Sequence, residues 1–197
     1  MHAQSRPYPA WGQPLIGSVE YTSEDVQRIP DDGFRYELYR GVLIRMPGTG
    51  DDHGLICQFI SELLSQYWRA QGERFRIVQN VGFDFTFPGD PATSTMLIPD
   101  VAVKASNTRT GPGINKTPPL IAIEVVSPSD SRKEVTAKTA FYLGGGVAEV
   151  WNVWPKTRSV DVWTTPTAPV TFTDQQTLVS AHLPGWGCLV SRFFEGD

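Results

Sequence analysis

Cysteine is close to absent from this chain. Its two cysteines in 197 residues, Cys57 and Cys188, are too few for a disulfide scaffold and read as two buried thiols of a cytoplasmic protein. No apolar run approaches the roughly 18 residues of a membrane-spanning helix, so no membrane partner is expected. Residues 1–17 lack a basic start followed by an apolar stretch, so no secretory signal is expected there. There is also no block of like charge. Seventeen Lys and Arg against 21 Asp and Glu leave −4, the wrong balance for a protein that coats nucleic acid through many phosphate contacts. An enzyme that uses acidic side chains to hold a cation at a phosphate stays open. A Ser-His-Asp pattern, a Gly-rich phosphate loop and a paired Cys-x-x-Cys are all missing.

What is present suits a packed core: 40% of residues are hydrophobic and 11% aromatic. The 18 glycines and 16 prolines favour turns and strands over long helices. Residues 1–20, with Pro7, Pro9, Trp11 and Pro14, read as an irregular arm, and 21–197 as a single domain without repeat or linker. Thr22 with Asp25 forms a weak capping box for a short helix over 22–29. Phe34-Arg35-Tyr36-Glu37-Leu38 and Val42-Leu43-Ile44 read as a hairpin about Tyr39-Arg40-Gly41. Leu55, Ile56, Phe59, Ile60, Leu63, Leu64, Tyr67 and Trp68 then recur at helical spacing, giving one long helix from Asp51 to Gly72. Strands are expected over 76–87 (kinked at Gly82), 98–104, 120–126, 147–153 and 160–163, with short ones beyond. Ser131 and Glu134 cap a helix over 132–143 that Gly144-Gly145-Gly146 stops. The class is α/β or α+β, a mixed sheet flanked by helices.

Chemistry concentrates on two of these strands. If their loop is symmetric about Pro112, Asp100 lies opposite Glu124 on one face, while Val101, Val103, Ile121 and Ile123 share the other. Paired carboxylates repel unless a cation neutralises them, and a few oxygen ligands suit Mg²⁺. Acids also commonly end strands, and Pro99-Asp100 alone is a turn dipeptide. Glu124 nevertheless sits in the apolar run 121–126, where an uncompensated carboxylate is costly. Lys138, on the following helix, either bridges Glu134 or Tyr142 at four-residue spacing or swings toward the carboxylate pair. The sequence leaves both readings open.

Pro99-Asp100, Glu124-Val125-Val126-Ser127-Pro128-Ser129, Lys138 with Tyr142, and Gly146-Val147-Ala148-Glu149-Val150-Trp151 together resemble the Uma-type family of restriction-endonuclease-like proteins, within the PD-(D/E)XK nuclease superfamily. Tyr36-Glu37-Leu38 with Gly41, His53 and Leu183-Pro184-Gly185-Trp186 extend the resemblance over about 22–194. It implies a restriction-endonuclease-like core and a Mg²⁺- or Mn²⁺-dependent endonuclease acting on DNA. Asp100, Glu124 and the Val125 carbonyl would hold the cation, Glu37 would assist directly or through water, and Lys138 would position the attacking water. His53 and Tyr142 would be accessory. The chain departs from the superfamily at Val126, where a lysine usually stands, which keeps a catalytically silent binding protein as the rival reading. Trp151, Trp154 and Trp163 are candidates for base stacking, with sheet core or a homodimer contact the commoner use. His2 and His182 read as surface residues.

Overall fold

The computed structural model of the chain describes residues 13–14, 21–46, 48–70, 75–87, 90–105 and 113–195. Helix α1, Ser23–Gln27, is opened by the expected capping box: Thr22 accepts the Asp25 N–H and Asp25 accepts the Thr22 N–H. Strands β2, Arg35–Tyr39, and β3, Val42–Met46, form the hairpin. Its two turn residues, Arg40 and Gly41, have φ of 47° and 77°. Two successive left-handed residues give the turn whose twist matches that of the flanking strands. Residues Gln13–Pro14 add strand β1 to the free edge of β3, so the N-terminal arm is not wholly irregular. Trp11 and the prolines before it lie outside the described residues.

Helix α2, Asp51–Ala70, buries Ile56, Ile60, Leu63 and Leu64 along the expected stripe. Then follow β4 (Phe75–Gln79), β5 (Phe83–Phe87), β6 (Asp90–Leu97), β7 (Val101–Ala105), β8 (Ile121–Val125), helix α3 (Arg132–Gly144), β9 (Glu149–Trp154) and β10 (Ser159–Trp163). The chain closes with β11 (Val170–Thr173), β12 (Thr177–Val179), β13 (Gly187–Leu189) and a 3₁₀ turn over Val190–Phe194. One sheet has the order β1-β3-β2-β6-β5 and the other β11-β10-β9-β8-β7-β4, with β12-β13 as a separate ribbon. Every named strand pair is antiparallel except β8 with β9. That parallel pair needs a crossover, which α3 supplies.

Two strand expectations are corrected. Residues 76–87 are not one kinked strand but two, in different sheets, and the break falls at Asn80, whose φ of 52° turns the chain. The strand expected over 98–104 starts only at Val101, and β6 was not foreseen. Pro99 has no N–H for a ladder, and the Ile98 N–H donates to the Glu37 carboxylate instead of to a strand. The segment 98–100 therefore bridges the two sheets, which is what brings Asp100 beside Glu124.

The six-stranded sheet is covered on both faces. Ile56, Ile60 and Leu64 of α2 pack with Val101, Val103, Ile121 and Ile123, and with Trp186 and Phe193 from the C-terminal segment. On the opposite face Ala102, Ala122 and Val150 meet Tyr142 of α3 and Phe83 and Phe85 of β5. The small alanines let α3 lie close. At its end Gly145 does the same, because a Cβ there would overlap the buried Phe85 ring. Gly145→Ala should lower the thermal midpoint by an amount equivalent to about 1–3 kcal/mol of overpacking. Gly54→Ala, with open space around it in α2, should raise it by about 0.5–1 kcal/mol. Thermal melts of the two variants beside wild type check both signs.

Candidate active site

The register read from the sequence is the one observed: Val101 pairs with Ile123, Ala102 with Ala122, and Val103 with Ile121. Alternation sends the valines and isoleucines to the α2 core and turns Ala102, Ala122 and Glu124 toward α3, while Asp100, just before β7, reaches the first turn of α2. Pro112, the assumed centre of the intervening loop, lies outside the described residues.

Asp100 is buried just before β7. Its Oδ2 accepts the Val125 N–H at 2.9 Å and lies 3.1 Å from His53 Nε2 in the first turn of α2. Glu124 Oε1 accepts the Tyr142 hydroxyl at 2.5 Å and meets Lys138 Nζ at 3.0 Å. The same ammonium lies 3.1 Å from Glu37 Oε1, which also accepts the Ile98 N–H at 2.8 Å. Of the two readings of Lys138, the one toward the carboxylates is observed, since Glu134 is occupied by the α3 capping box. Glu37, Lys138, Glu124 and Tyr142 thus form one bonded network drawn from β2, α3 and β8, and Asp100, bonded to His53 and the Val125 N–H, lies within electrostatic reach of it.

Their surroundings set their charge. Burial drives the Glu124 carboxyl up to about 7, with Asp100 and Glu37 pushing the same way and Lys138 opposing. For Lys138 burial favours loss of the proton, but Glu124, Glu37 and Asp100 outweigh it and hold the amine above the ordinary lysine range. Asp100 stays below the ordinary carboxylate range despite burial, because His53, the Val125 N–H and Lys138 favour its anion. For His53 burial opposes the charge and the bond to Asp100 prevails, raising the imidazole. Burial, then the neighbouring carboxylates, lift the Tyr142 phenol well above its usual value.

A solvent-open cleft is lined by Arg35, His53, Asp100, Glu124, Asp130 and Lys138 among others. Glu37 is not among its lining residues. It is fully buried behind Lys138, and its Oε2 has no hydrogen-bond partner. Val126, the aliphatic residue at the superfamily's lysine position, is buried and also lines the cavity. Of the uses open to the tryptophans, sheet core is the one observed for Trp151 and Trp163, while the Trp154 indole donates to Asp161 beneath the Arg132 guanidinium. His182 is half-buried rather than at the surface, and His2 lies outside the described residues.

Three neighbours went unnoticed in the sequence. Arg35 Nη1 lies 3.8 Å from Asp100 Oδ1, and its position two before Glu37 on one strand is the signal that could have found it. Asp130 accepts the Ser127 N–H at 3.0 Å in the loop before α3. Asn152 pairs in register with Glu124 on parallel β9, and its side-chain amide donates to Thr139 of α3 at 2.8 Å, leaving Oδ1 without a partner.

The donor set fits a hard divalent cation. Both protein bonds of Glu124 fall on Oε1, and the close ones of Asp100 fall on Oδ2. Each acid thus keeps a second oxygen for another ligand, next to Val125, which lines the same cavity. Oxygen donors of this kind suit Mg²⁺ or Mn²⁺.

A family profile described as "Uma2: Putative restriction endonuclease" matches residues 23–191. No curated protein matches the sequence. Among solved structures, the fold matches a crystal structure of "a putative nuclease belonging to DUF820 from Anabaena variabilis ATCC 29413". The TM-score is 0.71 at 20% identity, over 89% of this chain and 98% of that one. No helix among the described residues is long and apolar enough to cross a membrane.

Proposed function

The chain belongs to the Uma2 family, the restriction-endonuclease-like family whose profile spans most of its length, and on that premise we propose that it is a Mg²⁺- or Mn²⁺-dependent endonuclease hydrolysing DNA phosphodiesters. The observation that carries this reading is the convergence of Asp100, Glu124 and Lys138 on one cavity from three separate elements. Asp100, Glu124 and the Val125 carbonyl would hold the cation. When bound, it would polarise the scissile phosphate and lower the pKa of a coordinated water.

The chain's own residues have separable tasks. Lys138, held as an ammonium, is no general base; it donates hydrogen bonds and offers charge to the attacking water or the phosphate. It takes the place of the lysine missing at Val126. Glu37, behind Lys138, acts as a positioning residue rather than the metal ligand the resemblance suggested. Tyr142 orients Glu124, and His53 orients Asp100. Arg35, one-third exposed at the cavity, is placed to meet an incoming phosphate.

The test is plasmid cleavage by the purified protein. Nicking or linearisation that requires Mn²⁺ and is lost in Glu124→Ala is expected; cleavage that survives in that variant overturns the assignment. The rival reading, a silent binding protein, is favoured by Val126 and by the net charge of −4. It predicts DNA binding by gel shift with no Mn²⁺ uptake by calorimetry. We read 21–197 as one domain acting as a homodimer on the two strands, a stoichiometry that sedimentation would reveal. The two buried free thiols fit a reducing, cytoplasmic setting.

A further inference from the structure

One donor beside the cavity, Cys57, has no part in that reading. α2 places Cys57 one turn after His53, so both side chains lie on one face of the helix. His53 Nδ1 is 3.6 Å from Cys57 Sγ, and its Nε2 is 3.1 Å from Asp100 Oδ2. One ligand atom from each of the three residues lies within 4.8 Å of the others. We propose that Cys57, His53 and Asp100 form a second cation site, one for a soft divalent ion of the zinc class, and that filling it withdraws Asp100 from the hard-cation site.

The spacing supports this. Zinc bonds of about 2.3 Å to sulfur and 2.0–2.1 Å to nitrogen or oxygen, arranged tetrahedrally, put sulfur and nitrogen roughly 3.5 Å apart and nitrogen and oxygen roughly 3.3 Å apart. The 3.6 Å between Cys57 Sγ and His53 Nδ1 is close to the first edge, whereas Asp100 faces the other ring nitrogen. A rotation of the imidazole or of the carboxylate brings the third edge in, since one ring nitrogen must serve both. The donor types also discriminate: a thiolate and an imidazole favour zinc-like ions, whereas Mg²⁺ takes oxygen ligands. Access is from the cavity, which His53 and Asp100 line while Cys57 is buried behind them. Solvent there supplies the fourth ligand. Arg35 approaches Asp100 on Oδ1, and Oδ2, which accepts the Val125 N–H, is the oxygen that faces His53.

Binding balances as a simple exchange. The thiol S–H bond breaks, the metal–sulfur bond forms, and one proton leaves to solvent through the cavity. The site itself does not depend on the nuclease reading; only its inhibitory consequence does. Zinc-class ions would then block a reaction that Mn²⁺ supports, by drawing the Asp100 carboxylate toward His53 and Cys57 and away from Glu124.

The experiment titrates the full chain with Cd²⁺ and follows the ultraviolet thiolate-to-cadmium charge-transfer band. One equivalent is expected to produce the band. Cys57→Ser, with its fold checked by circular dichroism, should lose it, and Cys188→Ser should keep it. His53→Ala, which retains both cysteines, should weaken Cd²⁺ binding by at least about tenfold. No band in wild type, or a band that follows Cys188, overturns the site. In the cleavage assay Zn²⁺ should inhibit wild type but not Cys57→Ser, and equal inhibition of both overturns the withdrawal of Asp100. A protein that cleaves nothing refutes the nuclease reading instead, and the cadmium band still decides this one.

Discussion

Lys138→Met is expected to abolish metal-dependent cleavage and to destabilise the metal-free fold by about 3–5 kcal/mol, the usual cost of removing one partner from a buried ion pair. Two carboxylates lose their cation at once, and Glu37 loses most, since it is fully buried with one oxygen already unpartnered. At roughly 2–4 °C per kcal/mol for a chain of this size, thermal melts should show the deficit plainly. The sign with pH follows from the linkage. Lys138 is raised in the fold, so its contribution is complete below the ordinary lysine value and is lost only as pH rises through the folded one. Across the neutral range the wild type therefore keeps its advantage. The variant's deficit should shrink from pH 8 to pH 5, as Glu124, already driven up by burial, takes a proton in place of its lost partner. Glu37→Gln added to Lys138→Met should recover stability without recovering cleavage. A single variant that melts like wild type would show that the carboxylates do not depend on this amine.

The Glu124→Gln variant should do the reverse to stability. With its folded value near 7 against an ordinary 4.5, Glu124 binds a proton in the folded chain that the unfolded chain lacks between those limits. Stability then falls as pH rises through that window, and the full penalty, about 1–3 kcal/mol, persists above it. The amide removes the penalty while still accepting from Tyr142 and Lys138. Metal-free Glu124→Gln should therefore melt higher than wild type at pH 8 and equally near pH 4. Excess Mn²⁺ should reverse the order at pH 8, because binding stabilises only the chain that keeps the ligand. Calorimetry in the same buffer should show Mn²⁺ uptake by wild type alone. A variant that melts lower at pH 8 without metal would mark Glu124 as an ordinary structural partner of Lys138.

The two capping boxes and the turn at Arg40-Gly41 were legible in the sequence because each is a contract among neighbours along the chain. So was the α2 stripe, and so was the β7–β8 register, which followed from asking which residues want a core. The break at Asn80 was not legible, because nothing local distinguishes a kinked strand from a change of sheet. Nor was β6, whose polar residues 90–95 carry little apolar alternation.

The candidate site divides along the same line. Residue type and spacing determined that two acids end neighbouring strands and that a lysine follows on a helix. They could not decide between Glu134 and the acids as that lysine's partner, because a helical side chain reaches its own turn as readily as a neighbouring strand. Packing decided it. The alanines at 102 and 122 let α3 lie close to the sheet, Tyr142 anchors it, and the hairpin brings Glu37 in behind the amine. Arg35, Asn152 and Cys57 reach the cavity or its wall for the same reason. The distances that matter there separate residues far apart in the chain, and only the closing of one layer on another sets them.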